Sequence, residues 1–305
     1  MQVTLTGGTG FLGGRLLKRL LAGGHAVHLL IRSPRTGLPT GVEWSIWNTL
    51  EGEPPVASLA TSDAVIHLAG EPVAQRWTPE AKRRIRASRM DGTNRLVRVL
   101  SRLEPPPAAL ICASAIGYYG ARGEEELDET SRPGSDFLAD VCVEWEKAAD
   151  AAASAGIRVV RLRIGVALGP EGGALARMLP PFRVGAGGRL GLGTQWMSWI
   201  HADDLVSLFL FALERPEISG ALNATAPVPV RNSEFTEKLA GVLRRPALLP
   251  VPPFALRLLF GEMSEVLLGS QRVLPRAAEL AGFRFNYHEV LPALRQLLGS
   301  SGRAT

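Results

Sequence analysis

Gly7, Gly10 and Gly13, in the run Thr6-Gly7-Gly8-Thr9-Gly10-Phe11-Leu12-Gly13-Gly14, have the spacing that phosphate binding by backbone requires. The first glycine allows a tight turn. The second lets the backbone approach a pyrophosphate, and the third lets a helix pack close to a sheet. The N–H groups of Phe11 and Leu12 then open the helix and face the phosphates. An apolar run, Val3 to Leu5, precedes the loop, and Leu16, Leu17, Leu20 and Leu21 stripe the helix after it. Strand, glycine loop and helix together predict a bound dinucleotide.

The end of the second strand selects between dinucleotides. An acid there would bond the ribose 2′-hydroxyl of NAD, whereas an arginine accommodates the 2′-phosphate of NADP. The residues are Ile31-Arg32-Ser33-Pro34-Arg35. Arg32 offers a phosphate partner, Ser33 a hydrogen bond and Arg35 further charge. NADP is therefore expected, with NAD less favoured.

A few side chains have types that could move a proton beside such a cofactor. Tyr118 and Tyr119 follow the fifth predicted strand, His201 precedes a predicted helix, and Glu71 follows the fourth strand. Each also has a plain structural reading: a tyrosine lines a pocket, His201 holds a helix start, Glu71 bonds backbone. Tyr118 is the first catalytic candidate and His201 the second. The acidic run Glu124-Glu125-Glu126, then Asp128-Glu129, reads as a solvated loop, with no metal site, since it has no histidine partner. His25 and His28 read as structural. Trp77, Trp196 and Trp199 could wall a cleft, with core packing the default.

The elements that position these residues follow from hydrophobic patterning. Strands are predicted at Val3–Leu5, Ala26–Ile31, Val42–Ile46, Ala64–Leu68, Ala109–Ala113 and Val159–Leu162. Helices are predicted at Leu12–Leu21, Pro79–Leu103 and Phe137–Ala155, with Gly156 as a stop. Apolar strands joined by helical crossovers imply an α/β fold, a doubly wound parallel sheet covered on both faces. After residue 168 the pattern changes to glycine loops, a helix at Asp203–Leu213 and a strand at Gly220–Asn223. Asn232-Ser233 reads as a helix start, and the rest is helical with proline breaks. Residues 1–230 are expected to form the dinucleotide-binding domain, with 169–195 on the cleft wall. Residues 231–300 are expected to form a small, mainly helical lobe. A short low-complexity end runs from Gly299 to Thr305.

Composition excludes several classes. The chain has 305 residues, 46% hydrophobic and 21% charged, which is ordinary for a globular protein. No apolar run is long enough to span a membrane. No secretory segment opens the chain, and Cys112 and Cys142 read as buried thiols. A cytoplasmic setting is expected. The net charge is +5. Much of the basic excess lies in one helix, from Lys82 through Arg89 to Arg102, and reads as a solvated face with one or two arginines available to the cofactor. No nucleic-acid-binding signature accompanies it. A small-molecule substrate is expected, and the oligomeric state is not encoded in these patterns.

The sequence resembles the extended short-chain dehydrogenase/reductase superfamily. The glycine run matches its fingerprint, and His67-Leu68-Ala69-Gly70 matches the segment that passes the cofactor. Asp91-Gly92-Thr93 resembles an Asn-x-x-Gly-Thr helix, which places the asparagine position on Arg89. Tyr119-Gly120, Ile200 to Asp204 and Asn223 match later landmarks. Gly70-Glu71-Pro72, Arg76-Trp77, Ser88-Arg89 and the tail near Gly282-Phe283-Arg284-Phe285 resemble an atypical group, the epimerase family proteins, whose C-terminal domain is uncharacterised. The resemblance implies a Rossmann-type fold and a cofactor contact set of Gly7, Gly10, Phe11, Leu12, Gly13, Arg32, Ser33, Leu68, Ala69, Gly70, Arg89 and Ser114.

The superfamily's tyrosine and its lysine four residues on fall here on Phe137 and Val141, and its catalytic hydroxyl on Ala115, with Ser114 beside it. Phe137 has no hydroxyl, and Val141 has no charge to lower a phenol's pKa. Two functions are compatible: an NADP-dependent oxidoreductase or epimerase-like enzyme on a small polar molecule with another proton donor, or a non-catalytic NADP-binding sensor or partner-binding protein.

Overall fold

The structure is a computed structural model and describes residues 1–299, so the end of the chain predicted as low-complexity lies outside the described residues apart from Gly299. Strand β1 (Gln2–Thr6) leads through the glycine loop into α1 (Phe11–Ala22), β2 (Ala26–Ile31) and β3 (Glu43–Ile46). Then come β4 (Ala64–His67), α2 (Pro79–Leu100), β5 (Ala109–Ala115) and β6 (Glu126–Leu127). Helix α3 (Phe137–Asp150) precedes β7 (Arg158–Ile164), β8 (Val166–Gly169) and α4 (Gly173–Arg183). Strands β9 (Trp196–Met197) and β10 (Trp199–His201) lead to α5 (Ala202–Glu214), β11 (Gly220–Ala224) and β12 (Val230–Arg231). The remainder is α6 (Asn232–Leu243), α7 (Pro253–Phe260), α8 (Ser264–Leu268), β13 (Arg272–Val273), α9 (Arg276–Leu280) and α10 (Val290–Gly299).

Seven parallel strands form the central sheet in the order β3-β2-β1-β4-β5-β7-β11. This is the expected doubly wound, Rossmann-type sheet, accompanied by a mainly helical C-terminal region. Strand order reverses between β1 and β4, so a crevice opens there beyond the carboxyl ends of the strands. Val3, Leu5, Leu29, Ile66, Leu110 and Val160 are fully covered by helices or buried in the sheet. Helix α1 lays Leu16, Leu17 and Leu20 on the sheet.

Local signals explain most boundaries. Thr78 caps α2 by accepting from the Ala81 N–H at 3.1 Å, with Pro79 in the first turn. Asp136 caps α3 by accepting from the Ala139 N–H at 2.9 Å. The helix predicted through Ala155 tightens to a 3-10 turn over Ala151–Ala155 and stops at Gly156, whose φ is +77°. Helix α2 ends at Leu100 rather than Leu103, ahead of the Pro105-Pro106-Pro107 run, which cannot continue a helix.

A second core lies beside the first. Leu175 and Phe182 of α4 and Trp199 of β10 pack with Phe235 and Leu239 of α6 and Leu294 of α10. Strand β13 pairs with β6, and β12 with β9. The helical region is therefore laced back to the segments between β5 and β11. Among the described residues, no helix is long and apolar enough to cross a membrane.

Candidate dinucleotide site and cleft

The glycine loop has the geometry its spacing requires. Gly7 has φ +70°, and a Cβ there would lie 2.9 Å from the Leu68 carbonyl carbon. A Cβ on Gly13 would collide with the Gly7 carbonyl oxygen, so only glycine lets α1 start this close to the loop. Gly10 differs: its backbone is extended, and a Cβ would meet nothing but the Gly7 carbonyl, at 3.3 Å. The loop therefore leaves an open face at Gly10, backed by the start of α1. Phe11 turns its ring onto Gly169, Gly172 and Gly173, where any Cβ would strike it. Arg15 ties the same helix to Glu171 and Asp203. Arg32 and Ser33 are exposed at the end of β2, and Arg35 donates from Nη1 to the Thr9 carbonyl at 3.2 Å. A cationic cluster thus stands beside the loop.

Thr6 and His67 fix the floor between β1 and β4. The Thr6 hydroxyl accepts from the N–H groups of Leu68 and Ala69, at 3.1 and 3.0 Å. Its own proton then goes to Nδ1 of His67, 2.7 Å away, which makes Nε2 the protonated nitrogen facing Thr93 at 3.2 Å. Burial, with the charge of Arg89 adding, pulls His67 down to about 4, so the neutral ring required by this chain of bonds is the stable one. Arg89 donates to the carbonyls of Glu71 and Ile85, at 2.9 and 3.2 Å, and lies 5.1 Å over the Trp145 ring. A Cβ on Gly70 would touch its guanidinium at 3.4 Å.

Beyond the strands lies a cleft of about 1100 Å³. Ala115, Phe137 and Val141 all line it. The three places where the resemblance puts a hydroxyl, a phenol and an ammonium therefore present only carbon. Trp77 meets Phe137 edge-on, 5.1 Å between ring centroids, and Lys82 stands 4.6 Å over the Phe137 ring. Lys82 is paired with Glu262 at 2.6 Å, and Arg76 donates to the Leu258 carbonyl. The segment from α7 to α8 is thereby pinned across the mouth. Trp196 walls the cleft, Trp77 both lines it and packs in a small core with Ile85 and Met263, and Trp199 is core. Lys82 was expected on a solvated face. The cap at Thr78 sets the phase of α2 and brings Lys82 round to the cleft one turn later.

Several expected roles fall elsewhere. Tyr118 is not among the cleft-lining residues; its ring packs 3.5 Å from the Arg163 guanidinium and edge-on to Tyr119. Tyr119 borders the cleft instead, but its hydroxyl is spent inside: it donates to Asn223 at 2.7 Å and accepts from Arg163 at 2.9 Å. Burial pushes this phenol up to about 12, away from a usable phenolate. His201 is fully buried and is not a cleft residue either. Its Nδ1 accepts from the Asp203 N–H at 3.0 Å, Nε2 faces Gln296 at 2.9 Å, and the ring stacks on Tyr287. It caps α5, the structural role.

Ser114 borders the cleft, but its hydroxyl donates to Glu146 at 2.6 Å, on the helix side of β5. Glu146 is held there by Arg163 in a two-bond fork, at 2.8 and 2.9 Å, and by Arg161 at 3.1 Å. Glu71 bonds Gln75 and Arg84. The acidic run is not all solvated: Glu129 accepts from the N–H groups of Asn223 and Ala277, at 2.8 and 3.1 Å, and burial raises its pKa.

This arrangement defines a Rossmann-type dinucleotide-binding protein. Comparison with known proteins agrees. Residues 3–224 match the model of the NAD dependent epimerase/dehydratase family, and residues 251–297 match a domain of unknown function, DUF1731. The chain belongs to the NAD-dependent epimerase/dehydratase family, in the group of SDR39U1-type epimerase family proteins. It is 46% identical to the chloroplastic SDR39U1 homolog of Arabidopsis thaliana, over 98% of this chain and 87% of that one. It is 40% identical to YfhF of Bacillus subtilis, over 98% of both. The crystal structure of human SDR39U1 (isoform 2) with NADPH superposes with a TM-score of 0.87 at 33% identity, covering 98% of this chain and 99% of that chain.

Proposed function

We propose that this chain is an NADPH-dependent oxidoreductase whose cleft receives a small molecule without a tyrosine–lysine pair. Gly7, Gly10, Gly13 and the first N–H groups of α1 would hold the pyrophosphate, and Arg32, Ser33 and Arg35 the 2′-phosphate. The open face at Gly10 and the cationic cluster at the end of β2 fit that group. When bound, its nicotinamide supplies hydride chemistry. Leu68, Ala69 and Gly70 pass beside the crevice, and Arg89 reaches the cleft wall. The human relative crystallised with NADPH supports the same cofactor here.

The observation that carries the reading is the carbon-only floor of Ala115, Phe137 and Val141. These side chains neither give nor take a proton. Epimerisation through a ketone needs a base that removes a proton and an acid that returns it. The floor suits instead an electron-poor acceptor that takes its proton from water, such as a quinone or a reactive aldehyde.

The test has two stages. Titration by calorimetry is expected to show NADPH bound roughly ten- to hundredfold more tightly than NADH, with the preference lost in Arg32→Asp. Following the reduced-nicotinamide absorbance is then expected to show turnover with quinones or aldehydes. Nucleotide sugars should give neither oxidation nor epimer. Equal affinities would remove the cofactor assignment, and an epimerised sugar would remove the reaction class. A second reading, a non-catalytic NADPH sensor, is favoured by the ties of Lys82 and Arg76 that close the mouth. Tight NADPH binding with no acceptor turned over would establish it.

A further inference from the structure

Two segments on the outer face of the helical region run side by side. Gly191 N–H donates to the Val251 carbonyl at 2.9 Å, and Val251 N–H to the Arg189 carbonyl at 2.8 Å. Gly188 packs against the Leu249 carbonyl so closely that a Cβ would not fit, and Gly185 lies beside Pro246. The pair carries an unusual set of side chains. Leu248, Leu249, Phe254, Leu258 and Leu259 are between 63% and 86% exposed. Val184 and Leu192 on the facing segment are equally bare. Of α7, Leu256 alone is buried. Scattered single apolar residues need no explanation, but seven bare apolar side chains on two segments bonded to each other mark a surface that something covers.

Charge says what. Arg183, Arg189, Arg244, Arg245 and Arg257 rim the same two segments and are all exposed. Among the described residues, no carboxylate lies within ion-pair distance of any of the five. Residues 172–202 and 240–261 contain no Asp or Glu at all. Elsewhere on this surface several arginines are paired: Arg83 with Glu80, Arg98 with Glu53, Arg231 with Glu124. An apolar face with an unneutralised basic rim is complementary to a lipid surface of negative charge, into which the leucines dip while the arginines meet phosphates.

We propose that this face docks the protein on anionic bilayers as a peripheral, non-spanning contact. The patch adjoins the cleft mouth. Leu190, on the same segment, lines the cleft, as do Val266 and Leu267 just after α7. Docking would set the mouth of an apolar-walled cleft against the bilayer, where lipid-soluble molecules concentrate. The proposal stands apart from the redox reading, because attachment requires no turnover.

Sedimentation of the full chain with vesicles tests it. Vesicles of phosphatidylcholine mixed with phosphatidylglycerol are expected to carry the protein down at low salt and to release it at high salt. Phosphatidylcholine alone should carry little. Phe254→Ser with Leu258→Ser, and separately Arg244→Glu with Arg245→Glu, should each weaken binding about tenfold or more. All four positions are exposed, so NADPH affinity and the circular dichroism melt should match the wild type, which separates lost docking from lost fold. No sedimentation with the anionic vesicles overturns the proposal, as does binding that neither pair of substitutions alters. A dimer in light scattering that dissociates on Leu258→Ser also overturns it, by putting a second copy on the face.

Discussion

At the scale of the residue, the cleft is governed by what its side chains already hold. Thr6 gives its proton to His67, and His67 gives its own toward Thr93, so the floor between β1 and β4 is locked only while His67 is neutral. His67 titrates near 4 in the folded chain and near the ordinary value of about 6.5 in the unfolded one. The unfolded chain therefore takes the proton first as pH falls. The stability from this group is whole above about pH 6.5 and is lost progressively toward pH 4, roughly 3 kcal/mol in all. Thermal melts at about pH 7 and about pH 4.5 should show a larger drop for the wild type than for His67→Gln. At the floor, Phe137→Leu should leave any turnover within a few-fold, because the ring contributes shape and no proton. A loss of about a hundredfold, the lower size of an acid/base contribution, would show that the ring does more.

At the scale of the element, two glycines of one loop make separable demands. Gly13 is needed by the fold, since a Cβ there would strike the Gly7 carbonyl. Gly13→Ala should destabilise by about 1–3 kcal/mol, the range for overpacking, and lose NADPH binding with it. Gly10 sits in extended backbone that valine adopts easily. Gly10→Val should keep the melting temperature near that of the wild type and still abolish binding, because its side chain fills the open face. A Gly10→Val protein that binds NADPH normally would mean the loop is not the phosphate cradle. On the other side of β5, Glu146 is almost fully buried and serves Arg163, Arg161 and Ser114 together. Glu146→Leu should cost about 3–5 kcal/mol in denaturant unfolding, because the Arg163 charge is left buried without its carboxylate.

At the scale of the whole molecule, the helical region and the sheet share their cores. Trp199 and Phe182 pack on Leu294 and Phe235, and Asn223 at the end of β11 donates to the Leu274 carbonyl at 2.9 Å. Removing residues after 231 would bare Trp199, Phe182 and Leu179 together. The shortened protein should aggregate or bind a hydrophobic dye, and the intact one should unfold in a single transition. Two well-separated transitions in calorimetry would contradict this. The mouth is held more weakly. Lys82 and Glu262 are both partly exposed, and such pairs contribute about 0–1 kcal/mol. Glu262→Gln should therefore barely shift the melt while speeding hydrogen exchange in α7 and α8.

What the sequence determined was local. Gly7, Gly10 and Gly13 sit between a strand and a helix within a dozen residues, so their turn chemistry is legible without any partner. The same holds for the crossover pattern, for the stop at Gly156, and for the lack of hydroxyl and charge at Phe137 and Val141. The tertiary structure decided where side chains point and what they are spent on. Tyr118 and Tyr119 are neighbours in sequence, but Asn223, 104 residues away, claims the hydroxyl of Tyr119, and Arg163 takes the ring face of Tyr118. His201 is sealed by Gln296 and Tyr287 from the far end of the chain. Glu129 reads as one of a solvated acidic run until β11 and α9 bring two N–H groups to it. Composition also hides the basic apolar face, since α7 looks like an ordinary core helix until the fold leaves all but Leu256 uncovered or only half-covered. Periodicity and turn chemistry act over a few residues, whereas burial and proton ownership are set by contacts between segments far apart in the chain.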